Sequence, residues 1–135
     1  MKRKIITLAL SVLLVLGAAA VLAACDAASA ASDNVKEIIT TQQASGNVRY
    51  TNYQVVVNAD VDWNNLSDAE KQKIIDYGFK ESHKQAAEND VNNYNVLGIR
   101  EGSTTVLFMW DRANEQAIIF KDGQPTGTTL PAPSE

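Results

Sequence analysis

The chain has a single cysteine, Cys25, and it stands at the end of a long apolar run. From Ile5 to Leu22 only Thr7 and Ser11 interrupt the apolar residues, and Lys2, Arg3 and Lys4 come before them. A basic start, an apolar stretch and a small-residue exit through Ala23 and Ala24 are the three parts of a secretory signal. The basic residues hold the N-terminus on the cytoplasmic side while the apolar stretch enters the bilayer. This pattern constrains the fold in two ways. It removes the first 24 residues from the globular part. It also leaves no second thiol, so a disulfide framework or a zinc–sulfur site within one chain is excluded, and the domain must be held by packing alone.

Leu22-Ala23-Ala24-Cys25 resembles the lipobox of bacterial lipoproteins: an apolar residue, two small residues, then cysteine. The resemblance covers residues 1–25. It implies that the Cys25 thiol is alkylated with diacylglycerol and that a signal peptidase cuts between Ala24 and Cys25. The new amino group is then acylated, for example with palmitate. One acyl chain holds a protein marginally and two or more hold it stably, because each buried methylene contributes about 0.8 kcal/mol. An uncleaved N-terminal anchor, or a plain signal cut near Ala30, would place the domain on the same side. Asp26 follows the cysteine, where acid resembles an inner-membrane retention signal in lipoproteins of some double-membrane bacteria.

Removing Lys2, Arg3 and Lys4 from the twelve basic residues leaves nine against sixteen acidic ones, a formal charge of −7. An acidic domain stands off an anionic membrane and lacks the basic stripe that phosphate backbones require, so nucleic acid is not expected as a partner. The expected domains are a signal peptide over 1–24, the lipidated cysteine with a flexible small-residue tether over 25–33, a globular domain over 34–124 and a disordered tail over 125–135.

Within the globular part, Val35, Ile38, Ile39 and Gln42 fall on one helical face, with Asn34 as cap and Glu37 three places on. This predicts a short helix over 34–44, ended by Ser45-Gly46-Asn47. Residues 48–61 alternate as a strand, with Tyr53, Val55 and Val57 on one face and Tyr50, Asn52 and Gln54 on the wet one. Ser67 and Glu70 form a capping box that starts a helix running from 68 to about 89, and Gly78 within it suggests close approach to a sheet. Strands are predicted over 94–100, 104–110 and 116–120. The expected fold is α+β: a signal helix, then one small domain with a long helix on an antiparallel sheet of about four strands, a cystatin-like outline that by itself carries no function.

The candidate sites are few. Cys25 is the expected lipid attachment point, with cleavage between Ala24 and Cys25. Asp60, Asp62 and Asn64 place oxygen donors at alternate positions before a helix, which resembles half of a calcium loop. Asn65 stands where the loop needs glycine, however, and Lys71 where it needs glutamate. A solvated strand end favouring the helix N-terminus is the plainer explanation, so no metal or other cofactor is expected. Trp63 sits in the same polar loop, either exposed as a partner anchor or folded back over the helix start. His83, the only histidine, lies beside the helix's core line as a border residue. No catalytic constellation is evident. The expected function is a non-enzymatic binding module, tethered to the membrane and meeting an envelope protein or polymer. The alternative is an inhibitor or immunity protein acting on an envelope hydrolase.

Overall fold

A computed structural model describes residues 33–135, and these build a six-stranded sheet crossed by a single α-helix. The expected signal helix, the cleavage site at Ala24 and the lipid site at Cys25 lie outside the described residues. The strands are β1 (Val35–Ser45), β2 (Val48–Val57), β3 (Tyr94–Arg100), β4 (Val106–Asp111), β5 (Gln116–Lys121) and β6 (Gln124–Pro131), with α1 (Asp68–Glu88) between β2 and β3. Their order across the sheet is the order in the chain. Every neighbouring pair is antiparallel except β2 and β3, which run parallel.

Three parts of the expected fold are corrected. The sheet is mixed and six-stranded rather than antiparallel and four-stranded, which also overturns the cystatin-like outline. The parallel pair follows from the connection. A helix between two adjacent strands carries the chain back to its starting end, so the second strand runs the same way as the first.

The expected helix over 34–44 is replaced by strand from Val35 on. Val35, Ile38, Ile39, Thr40 and Thr41 are β-branched, which disfavours a helix and suits a pleated surface. Pairing with β2 then satisfies the backbone from Val35↔Val57 to Ser45↔Val48. Gly46-Asn47 is the hairpin turn, with φ +63° at Gly46. Glycine at the first place of a two-residue loop is a favoured hairpin arrangement. The strand after it ends at Val57 rather than at 61, where Asn58 donates its amide to Asn34 O.

Residues 125–135 are not a disordered tail. Asp122 and Gly123 both have positive φ, +52° and +79°, and turn β5 into β6. β6 pairs with β5 from Lys121↔Gln124 to Gln116↔Pro131. The domain therefore runs on to Glu135 instead of closing at 124.

α1 begins where its capping box predicts. Ser67 Oγ accepts from Glu70 N at 3.1 Å, and Glu70 Oε1 accepts from Ser67 N at 2.9 Å. Ile74, Ile75, Phe79 and Ala86 turn to the sheet, against Tyr53, Val55, Val57, Val96, Phe108, Trp110, Ala117 and Ile119. Burial of each large apolar side chain contributes roughly 1.5–3 kcal/mol, far more than the few tenths by which helix propensities differ. Two glycines make room in the core, Gly78 for helix against sheet and Gly98 for a ring on the next strand. A Cβ at Gly78 would lie 2.8 and 2.9 Å from the methyls of Val55, and one at Gly98 would overlap the Phe108 ring. Between Gly98↔Phe108 and Ile99↔Val106 the ladder slips by one residue, a bulge that turns both Leu107 and Phe108 into the core. No helix among the described residues is long and apolar enough to cross a membrane.

Candidate interaction surface

The loop between β2 and α1 carries the predicted metal and partner residues. Asp60, Asp62 and Asn64 are exposed, but they do not share a ligand position. Asp62 Oδ2 accepts from Asn65 Nδ2 at 2.7 Å, while Asn64 Nδ2 donates to Asp122 Oδ1 at 3.1 Å. Among the described residues no three of His, Cys, Asp or Glu are grouped so as to hold a metal ion.

Trp63 is not a surface anchor. It is fully buried, and a short 3₁₀ turn over Trp63–Asn65 rolls it inward. Its ring meets Phe108 at 5.6 Å between centroids, and its Nε1 donates to Phe120 O at 3.2 Å. A polar loop flanked by acids reads as wet, but one large indole with a carbonyl partner is more stable beneath it than outside.

At this end of the sheet Asn64, Arg100, Thr105, Leu107, Asp122 and Gly123 line an open cleft of about 300 Å³. Its polar groups are largely spoken for. Arg100 Nη1 donates to Ala59 O at 3.3 Å, Asn64 and Asp122 bond each other, and the Thr105 hydroxyl lies 2.8 Å from Ser103 Oγ. The cleft therefore aligns no nucleophile with a base. Beside it Glu101 accepts from Ala59 N at 3.0 Å and from Lys36 Nζ at 2.6 Å. The Lys36 hydrogen bond, then the Ala59 amide, hold the Glu101 carboxyl below its ordinary range, and Glu101 in turn raises Lys36.

The opposite end is closed by the chain's own last residues. His83 is buried, not at the border, with Nδ1 2.8 Å from the Tyr94 hydroxyl and Nε2 3.0 Å from Pro133 O. A carbonyl only accepts, so Nε2 carries the proton and, in the neutral ring, Nδ1 accepts from the phenol. Trp110 lies 5.1 Å from the imidazole centroid. Burial, then the nearby Glu135 charge, push the Tyr94 phenol up to about 12. Arg112 stacks over both Tyr94 and Trp110, 5.2 and 5.1 Å from their ring centroids. This cluster fastens residues 131–135 and leaves no room for another ligand to meet the imidazole nitrogens.

Asp62, Asn64, Trp63 and His83 are thus engaged within the domain, and the exposed apolar surface lies elsewhere. The large hydrophobic side chains exposed among the described residues are Ile39, Val48 and Tyr50, at 37%, 46% and 41%, all on the β1–β2 hairpin. Register puts them on one face. Ile39 is opposite Gln54, Gln43 is opposite Tyr50, and even-numbered positions of β2 share a face. That face is the one turned away from α1, since Tyr53, Val55 and Val57 face the helix. It continues across the sheet through Gln54↔Leu97, Leu97↔Met109 and Met109↔Ile118, a half-buried band that no helix among the described residues covers. Tyr50 on the wet face was the one visible hint in the sequence; Ile39 was hidden by the helical reading of its segment. No family model, curated protein or solved structure matches the chain.

Proposed function

We propose that this chain is a lipoprotein tethered through Cys25 to the extracytoplasmic face of a bacterial membrane, where it acts as a non-enzymatic binding module. The binding element is the β1–β2 hairpin, and the partner is a protein or polymer of the cell envelope. The observation that carries this reading is the gathering of exposed Ile39, Val48 and Tyr50 on one face of one hairpin. Exposed apolar groups that cluster, rather than scatter singly, are the usual mark of an interaction site. Aromatic residues such as Tyr50 contribute disproportionately at such sites. The anchoring half rests on the basic start, apolar run and Leu22-Ala23-Ala24-Cys25.

Each half has its own test. Mass spectrometry of the mature protein should find Cys25 at the N-terminus carrying a diacylglycerol thioether; a free thiol, or a start elsewhere, overturns the anchor. Capture from solubilised envelopes should recover one reproducible partner with the wild-type chain and lose it with Tyr50→Asp. Equal recovery by the two chains removes the hairpin from the site.

A further inference from the structure

We propose that β1 is a self-association edge: two copies of this chain pair antiparallel through β1 and join their sheets into one of twelve strands. This rests on the reading of the hairpin as the binding element and specifies its occupant. The sheet has two edges, and they differ. β6 carries Pro125, Gly127 and Pro131 within eight residues, which blunt it as a template. β1 has eleven residues, no proline and no glycine, and its only charges are Lys36 and Glu37 at one end. The backbone groups on its outer side face no strand of the sheet. Its one bulge lies between Val35 and Glu37, at the charged end, and the regular strand beyond it can template a further strand.

Charge favours a second copy as the occupant. The mature chain has a formal charge of −7, so copies repel over most of their surface. Between Val35 and Val57 the only charged residues are Lys36, Glu37 and Arg49, so two copies can approach along the hairpin without acid facing acid. The strand also suits itself. A two-fold axis through Ile39 sets Ile39 against its own copy and Ile38 against Thr40. Glu37 then faces Thr41, and Lys36 faces Gln42. β-branched residues meet at the centre and no like charges are opposed. The axis stands perpendicular to the sheet, so both helices stay on one side and both half-buried bands run together on the other. Ile39, exposed in the single chain, is covered.

Cysteine cross-linking of the full chain in membranes tests the geometry. Directly opposed residues of an antiparallel pair lie within disulfide reach. Ile39→Cys should give a dimer on oxidation, visible on a non-reducing gel, and Thr128→Cys on β6 should not. Native mass spectrometry of the detergent-solubilised wild-type chain should show a dimer. Ile39→Lys should be monomeric with an unchanged circular dichroism spectrum. A monomeric wild type, absence of the Ile39→Cys cross-link, or a dimer that survives Ile39→Lys overturns the proposal. If the wild type is monomeric yet captures an envelope protein that Ile39→Lys loses, the edge takes a foreign strand, which refutes the second copy and leaves the hairpin reading standing. A disulfide dimer of the wild type itself exposes a free Cys25 and refutes the anchor, and the native mass of Ile39→Lys then decides the edge.

Discussion

Arg112 and Glu135 meet through a pair of hydrogen bonds, Nε to Oε2 at 3.0 Å and Nη2 to Oε1 at 2.9 Å. Both side chains are near half exposed, 43% and 47%, so the ion pair alone contributes little. Its use is positional. The guanidinium already stacks on Tyr94 and Trp110 and donates to Asn92 O, so whatever it grips is held over the aromatic end of the core.

Arg112→Ala should therefore cost about 1–2 kcal/mol in urea unfolding, most of it lost stacking and packing rather than lost charge. Arg112→Lys should recover little, because an ammonium cannot reproduce the planar fork. Hydrogen exchange gives a second readout. The Ala132 amide, which donates to Glu115 O at 3.2 Å, should exchange faster in Arg112→Ala and in His83→Phe, since both release the tail.

The Lys36–Glu101 pair makes stability depend on pH at both ends of the scale. Glu101 is lowered from its ordinary 4.5, so its contribution is present above that value and is lost as pH falls through the lower folded value. Lys36 is raised from 10.5, so its contribution is present below that value and is lost as pH rises through the higher folded one. Glu101→Gln should flatten the acid limb of a Tm-against-pH curve relative to wild type. Because the pair is exposed, raising the salt should shrink the difference.

Gly98→Ala should destabilise by about 1–3 kcal/mol, the usual cost of forcing a methyl into a filled core. The Phe108 ring that the new Cβ would overlap is itself packed against Trp63 and Phe79 and has nowhere to go. Gly78→Ala should cost less. There the helix gains roughly 1 kcal/mol of propensity, and the obstruction is two methyls of Val55 rather than a ring. Thermal unfolding of the two variants side by side checks the order; a larger loss at Gly78 would contradict it.

Trp63→Ala should cost about 3–5 kcal/mol and should not alter capture of an envelope partner at a temperature where the variant stays folded. The first follows from complete burial against Phe108, and the second from the absence of any exposed indole surface. Denaturant titration and the same capture assay read the two separately.

What could be read in the sequence is what neighbouring residues enforce on one another. The Ser67–Glu70 capping box places the start of α1 because both of its hydrogen bonds close within one turn. The alternation through Tyr53, Val55 and Val57 gives β2 and its core face, and the runs after Tyr94 give three further strands, because period two is a local property. The proposal of export and a lipid site rests on neighbouring residues too, the apolar entry and the lone Cys25. Gly46-Asn47 and Asp122-Gly123 read in the sequence as endings, and the strands on either side of each make them hairpin turns.

Other features are decided only by what lies across space. Residues 35–45 satisfy a helical face and a β-branched run at once, and β2 alongside selects the strand by supplying the backbone partners that an isolated helix of that length could not keep. β6 has almost no apolar pattern and exists because β5 offers it a ladder. Trp63 and His83 looked like loop and border residues. Phe108 and Phe120 draw the first inward, and Tyr94 with Pro133 engages the second. A side chain's exposure depends on residues tens of positions away, and the local pattern holds no record of them.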